Sequence, residues 1–512
     1  MAKTIPSSAG FVYNAAGEIE VFVRDSMERG NAASALTSLA SSKRIHLRAD
    51  HHQHTPHIIV KPADFTFQEL AAWRDAVGDY VDSTAGIGVV SLDLDEGRNR
   101  LTLGVRASAN RQQLLSAFVA LGVDSKAINF EPATGFKNLS SLPTPLDALS
   151  RSPMAAMFTS LSIQDNAPQL IGGLEIGIDN PNFPRRAQCT LGFAAQENQN
   201  GASTLGFLTA SHCTQNLFAH DGNAFYQSYS GAYVGSEKDD PQGYRCGIYI
   251  CNVADATFIQ ASAPQNVGLG LIAKATSYPG TFTYDPSNLW VVTQVEHNDL
   301  YVNEQVQWVG STSGFQLAVI SNTCVDFWHD YDFPSASEYK TTCEDETTGS
   351  NAQGGDSGGT VYVVLGDGNE VEAAGMISGD YLNTQNLICF TRVTRIQADF
   401  NTENGQILFY PVATGPTLTL NDNGLTDGNG HPSLTWNAYP GALNYDVYST
   451  TIDASCNQTS GPSLIYSTTA TSYVDMSVVS SGFTLCPAVG YYVTVTTSNS
   501  FQQSNTASYG TQ

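Results

Sequence analysis

The chain has 512 residues, with 23 Lys and Arg against 48 Asp and Glu, a formal net charge of −25, 9 Cys and 45 Gly. At 41% hydrophobic and 10% aromatic residues it can bury several cores, which excludes global disorder, and its length suits about three domains. Such acidity repels phosphate, which excludes nucleic acid as a partner, and no apolar run is long enough for a helix to span a membrane.

Charge and cysteine are unevenly placed. Residues 1–150 carry 14 basic and 16 acidic side chains, a net of −2, whereas residues 151–512 carry 9 and 32, a net of −23. No Lys or Arg follows Arg395, and all nine cysteines lie from Cys189 onward. They form no C-x-x-C pair, so neither a zinc ribbon nor a thioredoxin-like site is indicated. Scattered cysteines in a Lys-poor chain read as disulfides of a secreted protein, with an odd thiol left over. The opening Met1–Ser8 lacks the apolar stretch of a signal peptide, so export would need a leader outside this chain.

In chain order, residues 11–24 alternate like a strand with a turn at Ala16-Gly17. His46, His51, His52, His54 and His57 cluster next. Their spacing is loose and no acidic or Cys ligand repeats nearby, so they read as polar surface rather than a metal site. Leu70, Trp73, Val77 and Val81 recur at helical spacing within 65–83. Residues 86–106 read as two strands joined at Asp95-Glu96-Gly97, and 109–122 as a helix. Residues 1–132 are therefore expected to form a small α+β domain, and the Ser-, Pro- and Ala-rich stretch 133–170 a linker. From Ile171 to residue 410, short β-type runs between Gly, Asn, Asp and Pro turns predict an all-β barrel or sandwich domain. Residues 411–416 read as a second linker, and 417–512, again of short strands, as a β-sandwich.

Three stretches carry chemistry. GFLTASHCT (206–214) puts His212 after an apolar strand, CNVADATFIQ (251–260) puts Asp255 at a strand edge, and AQGGDSGGTVYVV (352–364) puts Ser357 in a Gly-rich loop. A serine hydroxyl is a poor nucleophile until a base takes its proton. A neutral imidazole can do so near pH 7, and a buried carboxylate fixes its tautomer. Glycines beside Ser357 allow the N–H groups of Gly355 and Ser357 to converge on one oxyanion. Asp239 and Asp240 lie in the same interval as Asp255, but Lys-Asp-Asp-Pro reads as a solvated turn.

TASHC and GDSGG, in the order His, Asp, Ser, resemble the motifs of chymotrypsin-like serine proteases, over roughly 171–405. IGGLEIGI…CTLGF (171–193) and VQWVGSTSG (306–314) are similar to the bacterial secreted branch, the streptogrisins and α-lytic protease. The resemblance implies a double β-barrel hydrolysing protein or peptide substrates without a cofactor. His212 would be the base, Asp255 its orienter, Ser357 the nucleophile, Gly355 and Ser357 the oxyanion donors, and Asp356 a buried acid shaping their loop. It further implies a Cys189–Cys213 disulfide, with Cys324–Cys343 as a second. Cys246 and Cys251 are close enough to pair locally, and Cys389 is left without an obvious partner. The substrate pocket maps to Asn351 at its base and Ser378, Gly379 and Asp380 on its wall, with Ser378 also able to support Asp255. Asn at the base and Asp380 at the mouth leave the preferred residue open between basic and uncharged.

GVVSLDLDEGRNRLTLGV (88–105) resembles the pro-regions that precede such enzymes, which assist folding and occupy the active site until cut. Processing is then expected within 133–170, shortly before Ile171. An unrelated accessory domain is the alternative. PSLTWNAYPGALNYDVYSTT (432–451), TSYVD (471–475) and YYVTVTTSNS (491–500) resemble a fibronectin type III domain. Trp436 would lie in its core, Tyr445 and Tyr492 would be paired aromatics, and Cys456–Cys486 an added bridge. Such a module would bind a polymer or surface, or act as a passive spacer. The leading expectation is a secreted serine endopeptidase made as a precursor, and the alternative is a catalytically silent relative that binds peptides or surfaces.

Overall fold

The computed structural model describes residues 6–14, 18–34, 57–138, 161–178, 187–199, 202–227, 231–277, 279–295, 300–329, 339–350, 352–365, 368–381, 387–402 and 405–409. Beyond these it describes 420–421, 431–436, 442–452, 463–477, 480–482, 488–497, 501–503 and 507–511. The chain divides into two compact units, Met1–Phe409 and Tyr410–Gln512. It is mainly β, as expected.

In the first unit the apolar runs of 171–410 close into two barrels. In one, Glu175–Ile178, Ala224–Gln227, Tyr233–Asp239, Thr257–Ala261 and Ala202–Thr209 pair in that order. The stretch 187–199 closes the ring, pairing with Glu175–Ile178 at one end and Ala202–Thr209 at the other. In the other, Gln305–Gly310, Gly314–Trp328, Tyr339–Thr348, Leu387–Arg392, Glu370–Tyr381 and Thr360–Leu365 form a closed six-stranded cycle. Closure removes free sheet edges and turns alternate residues inward. Val306, Trp308, Ile320, Val361, Ile377, Ile388 and Phe390 fill the second barrel. Phe207, Phe225, Phe258 and Ile259 of the first barrel belong to a larger core that also takes in Val309, Phe315 and Met376 of the second.

The N-terminal residues form the expected α+β layer. The helix Phe67–Asp82 begins with a capping box. Thr66 Oγ1 accepts from the Glu69 N–H at 3.2 Å, and the Glu69 carboxylate accepts from the Thr66 N–H at 2.8 Å. Its face packs on the hairpin Val89–Asp95 and Arg100–Val105, with Ile128–Pro132 added in parallel. This sheet continues the second barrel, because Ser91 and Leu92 pair with Phe327 and Asp326. Trp328 and Tyr249 are buried in the same core as Leu70, Val77 and Leu92.

A balanced charge cluster lines that junction. Arg74 Nη2 donates to Asp326 Oδ1 at 2.7 Å, and Lys340 Nζ lies 3.2 Å from both Asp82 and Asp326. Trp328 Nε1 donates to Asp82 Oδ1 at 2.8 Å. Burial pushes the Asp82 carboxyl up, and Lys340 opposes the shift. Apolar packing and paired charge together weld this layer to the barrels.

Parts of the expected linker are structured. Phe136–Asn138 is a strand antiparallel to Gly379–Tyr381. Leu161–Ser162 pairs with Thr283–Tyr284, Ile163 is fully buried, and Leu170–Gly172 pairs along Val267–Ile272. Apolar residues at 161, 163, 170 and 171 give these segments a core to join, which composition alone had masked.

The second unit is a β-sandwich, as expected. Ser433–Trp436 pairs with Leu420–Asn421 and Ser472–Val474, and Ala442–Ile452 with Ser463–Thr468 and Ala488–Thr497. Trp436 is buried against Tyr445, with ring centroids 5.7 Å apart. The aromatic partner is corrected by register. Tyr445 stands opposite Val495 and Tyr492 opposite Tyr448, while Tyr491 is the buried ring, donating to Asp475 Oδ2 at 2.7 Å. A one-residue slip in such a strand exchanges the two faces. Cys456 and Cys486 lie outside the described residues, as do His46, His51, His52 and His54. His57 is exposed beside Glu18 at 3.1 Å.

Candidate active site

The first barrel supplies two of the three catalytic candidates. The apolar strand Ala202–Thr209 ends in a 3-10 turn, Ser211–Cys213, which lifts His212 out of the strand. The Cys189–Cys213 disulfide ties that turn to the neighbouring strand Ala187–Thr190. Asp255 lies just before the strand Thr257–Ala261, which pairs directly with Ala202–Thr209. The two side chains thus meet although 43 residues separate them. Asp255 Oδ1 accepts from the His212 backbone N–H at 3.0 Å, and Oδ2 lies 2.5 Å from Nδ1. Two bonds to one carboxylate fix both the turn and the ring.

The second barrel supplies Ser357, at the entry to the strand Thr360–Leu365. Its Oγ lies 2.6 Å from His212 Nε2. With Nδ1 facing a carboxylate, the neutral ring carries its proton there, leaving Nε2 to accept from the serine. His212, Asp255 and Ser357 are all buried.

The loop before Ser357 is held from several sides. Thr312 Oγ1 donates to the Gly354 carbonyl at 2.8 Å, while Ser311 Oγ and Thr190 Oγ1 donate to the Gly355 carbonyl at 2.7 and 2.9 Å. Within a trans peptide the N–H points opposite its carbonyl. Anchoring the Gly354 carbonyl therefore turns the Gly355 N–H away from Thr312. Among the described residues, the N–H groups of Gly355 and Ser357 bond to no protein atom. Gly355 has φ +104° and Gly358 φ +79°, a region that favours glycine. A Cβ on Gly358 would stand 2.3 Å from Thr209 Oγ1 and 2.6 Å from the Thr190 carbonyl.

Asp356 is the anchor under this loop. Its carboxylate accepts from the N–H groups of Gln353, Thr312 and Ser313 at 2.8, 2.9 and 2.9 Å, and from Ser313 Oγ at 2.5 Å. Burial pushes it up to about 6, against the pull of those donors. Its lone pairs are filled from within the loop and the 311–313 turn, so it needs no chain terminus as a partner.

The substrate-pocket candidates are placed unequally. Ser378 and Gly379 are buried on the strand Glu370–Tyr381. Asp380 continues that strand, opposite Lys137. Asn351 lies outside the described residues. Ser378 does not reach Asp255. Its hydroxyl donates to Glu344 Oε2 and approaches the Cys389 carbonyl at 3.1 Å. The disulfides Cys246–Cys251 and Cys324–Cys343 are formed, and Cys389 is buried outside the three described disulfides. One grouping of metal-type ligands occurs among the described residues, Asp82 with Cys246 and Cys251, but both sulfurs are in a disulfide.

Sequence reasoning missed the acids behind the site. Asp239 and Asp240 are buried, not solvated. Asp240 Oδ2 accepts from Ser211 Oγ at 2.9 Å, and burial pushes the Asp240 carboxyl well up. Asp239 ends the barrel strand Tyr233–Asp239 and Asp240 follows it, so a polar dipeptide that looks like a turn is drawn inside. Glu344 is also fully buried, and His329 stacks on Tyr339 at 4.1 Å, with burial pushing its imidazole well down. No local motif marked either.

No protein-family model and no curated protein matches the chain. Among solved structures it is similar to a chymotrypsin of Cellulomonas bogoriensis, at 21% identity over 47% of this chain and 99% of that one, TM-score 0.30. A glutamic acid specific serine protease matches at 18% identity over 47% of this chain and 100% of that chain, TM-score 0.29. An Fn3-like protein from Clostridium thermocellum matches at 23% identity over 19% of this chain and 88% of that chain, TM-score 0.13.

Proposed function

We propose that the chain is the precursor of a secreted serine endopeptidase. The observation that carries this is the continuous line Asp255–His212–Ser357, at 2.5 and 2.6 Å, beside two unbonded N–H groups. In the proposed cycle His212 Nε2 takes the Ser357 proton as Oγ attacks the substrate carbonyl. Asp255 stabilises the imidazolium, and the N–H groups of Gly355 and Ser357 hold the oxyanion. His212 then returns the proton to the leaving amine, and a water deprotonated by His212 releases the acyl group from Ser357.

Residues 6–138 serve as the pro-region. In support, their sheet is continuous with the second barrel, and Phe136–Asn138 takes up the backbone edge at Gly379–Tyr381 where a substrate strand would add. Two barrels of non-local pairings fold slowly, and a template welded to one of them lowers that barrier. Processing then falls between Asn138 and Leu161, not just before Ile171, because 161–172 are built into the barrels. Three disulfides favour an extracellular setting. The C-terminal sandwich acts as a module tethering the enzyme to a polymer or surface.

Casein hydrolysis by the purified chain, beside Ser357→Ala, tests the activity. Hydrolysis lost in the variant is expected. Equal clearance by both proteins would remove Ser357 from the chemistry. No clearance by the wild type after removal of residues 1–138 would favour the silent, peptide-binding alternative.

A further inference from the structure

A cavity of about 240 Å³ lies where three parts of the first unit meet. They are the strand pair Ser8–Tyr13 and Ile19–Val23, the turn of the hairpin Val89–Asp95 and Arg100–Val105, and the barrel strand Gly314–Trp328. Four carboxylates line it: Glu20, Asp93, Asp95 and Glu96. Strand alternation aims the middle two. Leu92 and Leu94 turn into the core under the helix Phe67–Asp82, so Asp93 and Asp95 take the other face, towards the cavity. From the barrel, Ile320 turns inward and Ser321 outward onto the same space.

Two of the four carboxylates have counter-charges. Glu20 pairs with Lys61 at 2.5 Å, and Asp95 with Arg98 at 3.2 Å. Among the described residues, Asp93 and Glu96 pair with no base. Arg74 acts on both, and Arg392 on Glu96, only through space, because Asp326 and Asp345 each hold those guanidiniums at 2.7 Å. Asp93 is 6% exposed, and its Oδ1 has no hydrogen-bond partner among the described residues. Ser321 Oγ, on the barrel wall, is buried and equally unpartnered. Its neighbour Asn322 gives its amide N–H to Glu346, which leaves Oδ1 as an acceptor.

A buried carboxylate without a counter-charge is strongly unfavourable, and either a proton or a cation must offset it. A proton neutralises one carboxyl and gives the oxygens of Ser321 and Asn322 nothing to bind. A hard cation takes two carboxylates, a hydroxyl and an amide oxygen together, and the cavity has room for water in its remaining positions. Because neutral oxygens complete the set, no third acid has to converge on the ion. An all-oxygen set with no nitrogen or sulfur suits Ca²⁺, which takes roughly six to eight oxygens in adaptable geometry, better than Mg²⁺, which demands a near-ideal octahedron.

We propose that Asp93, Glu96, Ser321 and Asn322 form a Ca²⁺ site that ties the hairpin to the second barrel. The N-terminal strand closes it from the third side, where Asn303 Nδ2 donates to the Tyr13 carbonyl at 2.5 Å. The site makes no use of the triad, so it stands apart from the endopeptidase reading. It does need the hairpin, so removal of residues up to 138 would split it.

The test uses the full-length Ser357→Ala chain, in which self-processing cannot remove the hairpin, after a chelator has stripped it of metal. Calorimetric titration with CaCl2 is expected to show one saturable site with a Kd below about 1 mM, the range of extracellular calcium modules. Asp93→Asn and Glu96→Gln, each made in that chain, are expected to weaken it by about tenfold or more. Thermal unfolding supplies a second reading. Ca²⁺ should raise the midpoint of the parent chain and leave that of Asp93→Asn unmoved. In chelator Asp93→Asn should be the more stable of the two, having shed an unpaired buried charge. Saturable binding that neither substitution weakens would place the ion elsewhere and overturn the proposal. A parent chain whose midpoint is the same in Ca²⁺ and in chelator would assign the neutralisation to a proton, and would overturn it even if both variants failed to fold.

Discussion

His212 is held by two bonds to one carboxylate, and a substitution can remove its charge without removing its shape. Asp255→Asn should leave a folded protein whose activity falls by about 10⁴, because the amide stabilises the wrong imidazole tautomer. Near-normal hydrolysis by that variant would move the role elsewhere, with buried Asp240 the next residue to test. Buried acids also set a pH dependence of stability. Asp356 and Glu344 are pushed up to about 6 and about 7, from ordinary values of 3.8 and 4.5. The folded state therefore binds their protons more tightly than the unfolded chain does. Their stabilising contribution is complete below about pH 4 and is lost as pH rises through 6 to 7. Urea midpoints should accordingly fall between pH 5 and pH 8, and Glu344→Gln should flatten that fall by on the order of 2 kcal/mol. An unchanged slope would mean that Glu344 keeps its charge throughout. The motifs around His212 and Ser357 were legible because each is a short contiguous run. Glu344 was not, because its burial comes from a partner strand more than forty residues away. In the acidic run Cys343-Glu-Asp-Glu346 nothing local shows that all three carboxylates are buried.

At the scale of elements, the helix Phe67–Asp82 and the hairpin after it read directly from period and turn residues. What they dock on did not, since pairing of residues 91–92 with 326–327 leaves no trace in either segment alone. The docking rests on a cluster of two acids and two bases around Trp328. Removing one member leaves its partners buried and unpaired, which costs more than the pair itself contributes. Asp82→Ala strips the acceptor from Trp328 Nε1 and one counter-charge from Lys340. A loss of about 3 kcal/mol is expected in denaturant unfolding followed by tryptophan fluorescence. A change below about 0.5 kcal/mol would show that the apolar core of the helix carries the junction by itself. The expected linker shows the same limit from the other side. Its Ser- and Pro-rich composition read as coil, yet Ile163 and Leu170 supply enough apolar contact to fold its end into the barrels.

For the whole molecule, the uneven charge noted at the outset follows the architecture. The nearly neutral, Cys-free residues up to 138 form the layer that pairs with the second barrel, and the acidic, disulfide-bearing remainder holds the candidate triad. If that layer is a removable template, incubation should shorten the wild type within 139–160 while Ser357→Ala stays full length, as read by intact mass. Equal cutting of both chains would assign the step to another protease. Cleavage after Ile163 would contradict the boundary drawn from its burial. The central claim is that Ser357 is an activated nucleophile, and the most direct measurement is intact mass after exposure to a fluorophosphonate, taken on the processed wild type beside processed or full-length Ser357→Ala. One adduct mapping to Ser357 in the wild type and none in the variant is the predicted result. A wild type that stays unlabelled with its N-terminal layer removed would contradict it.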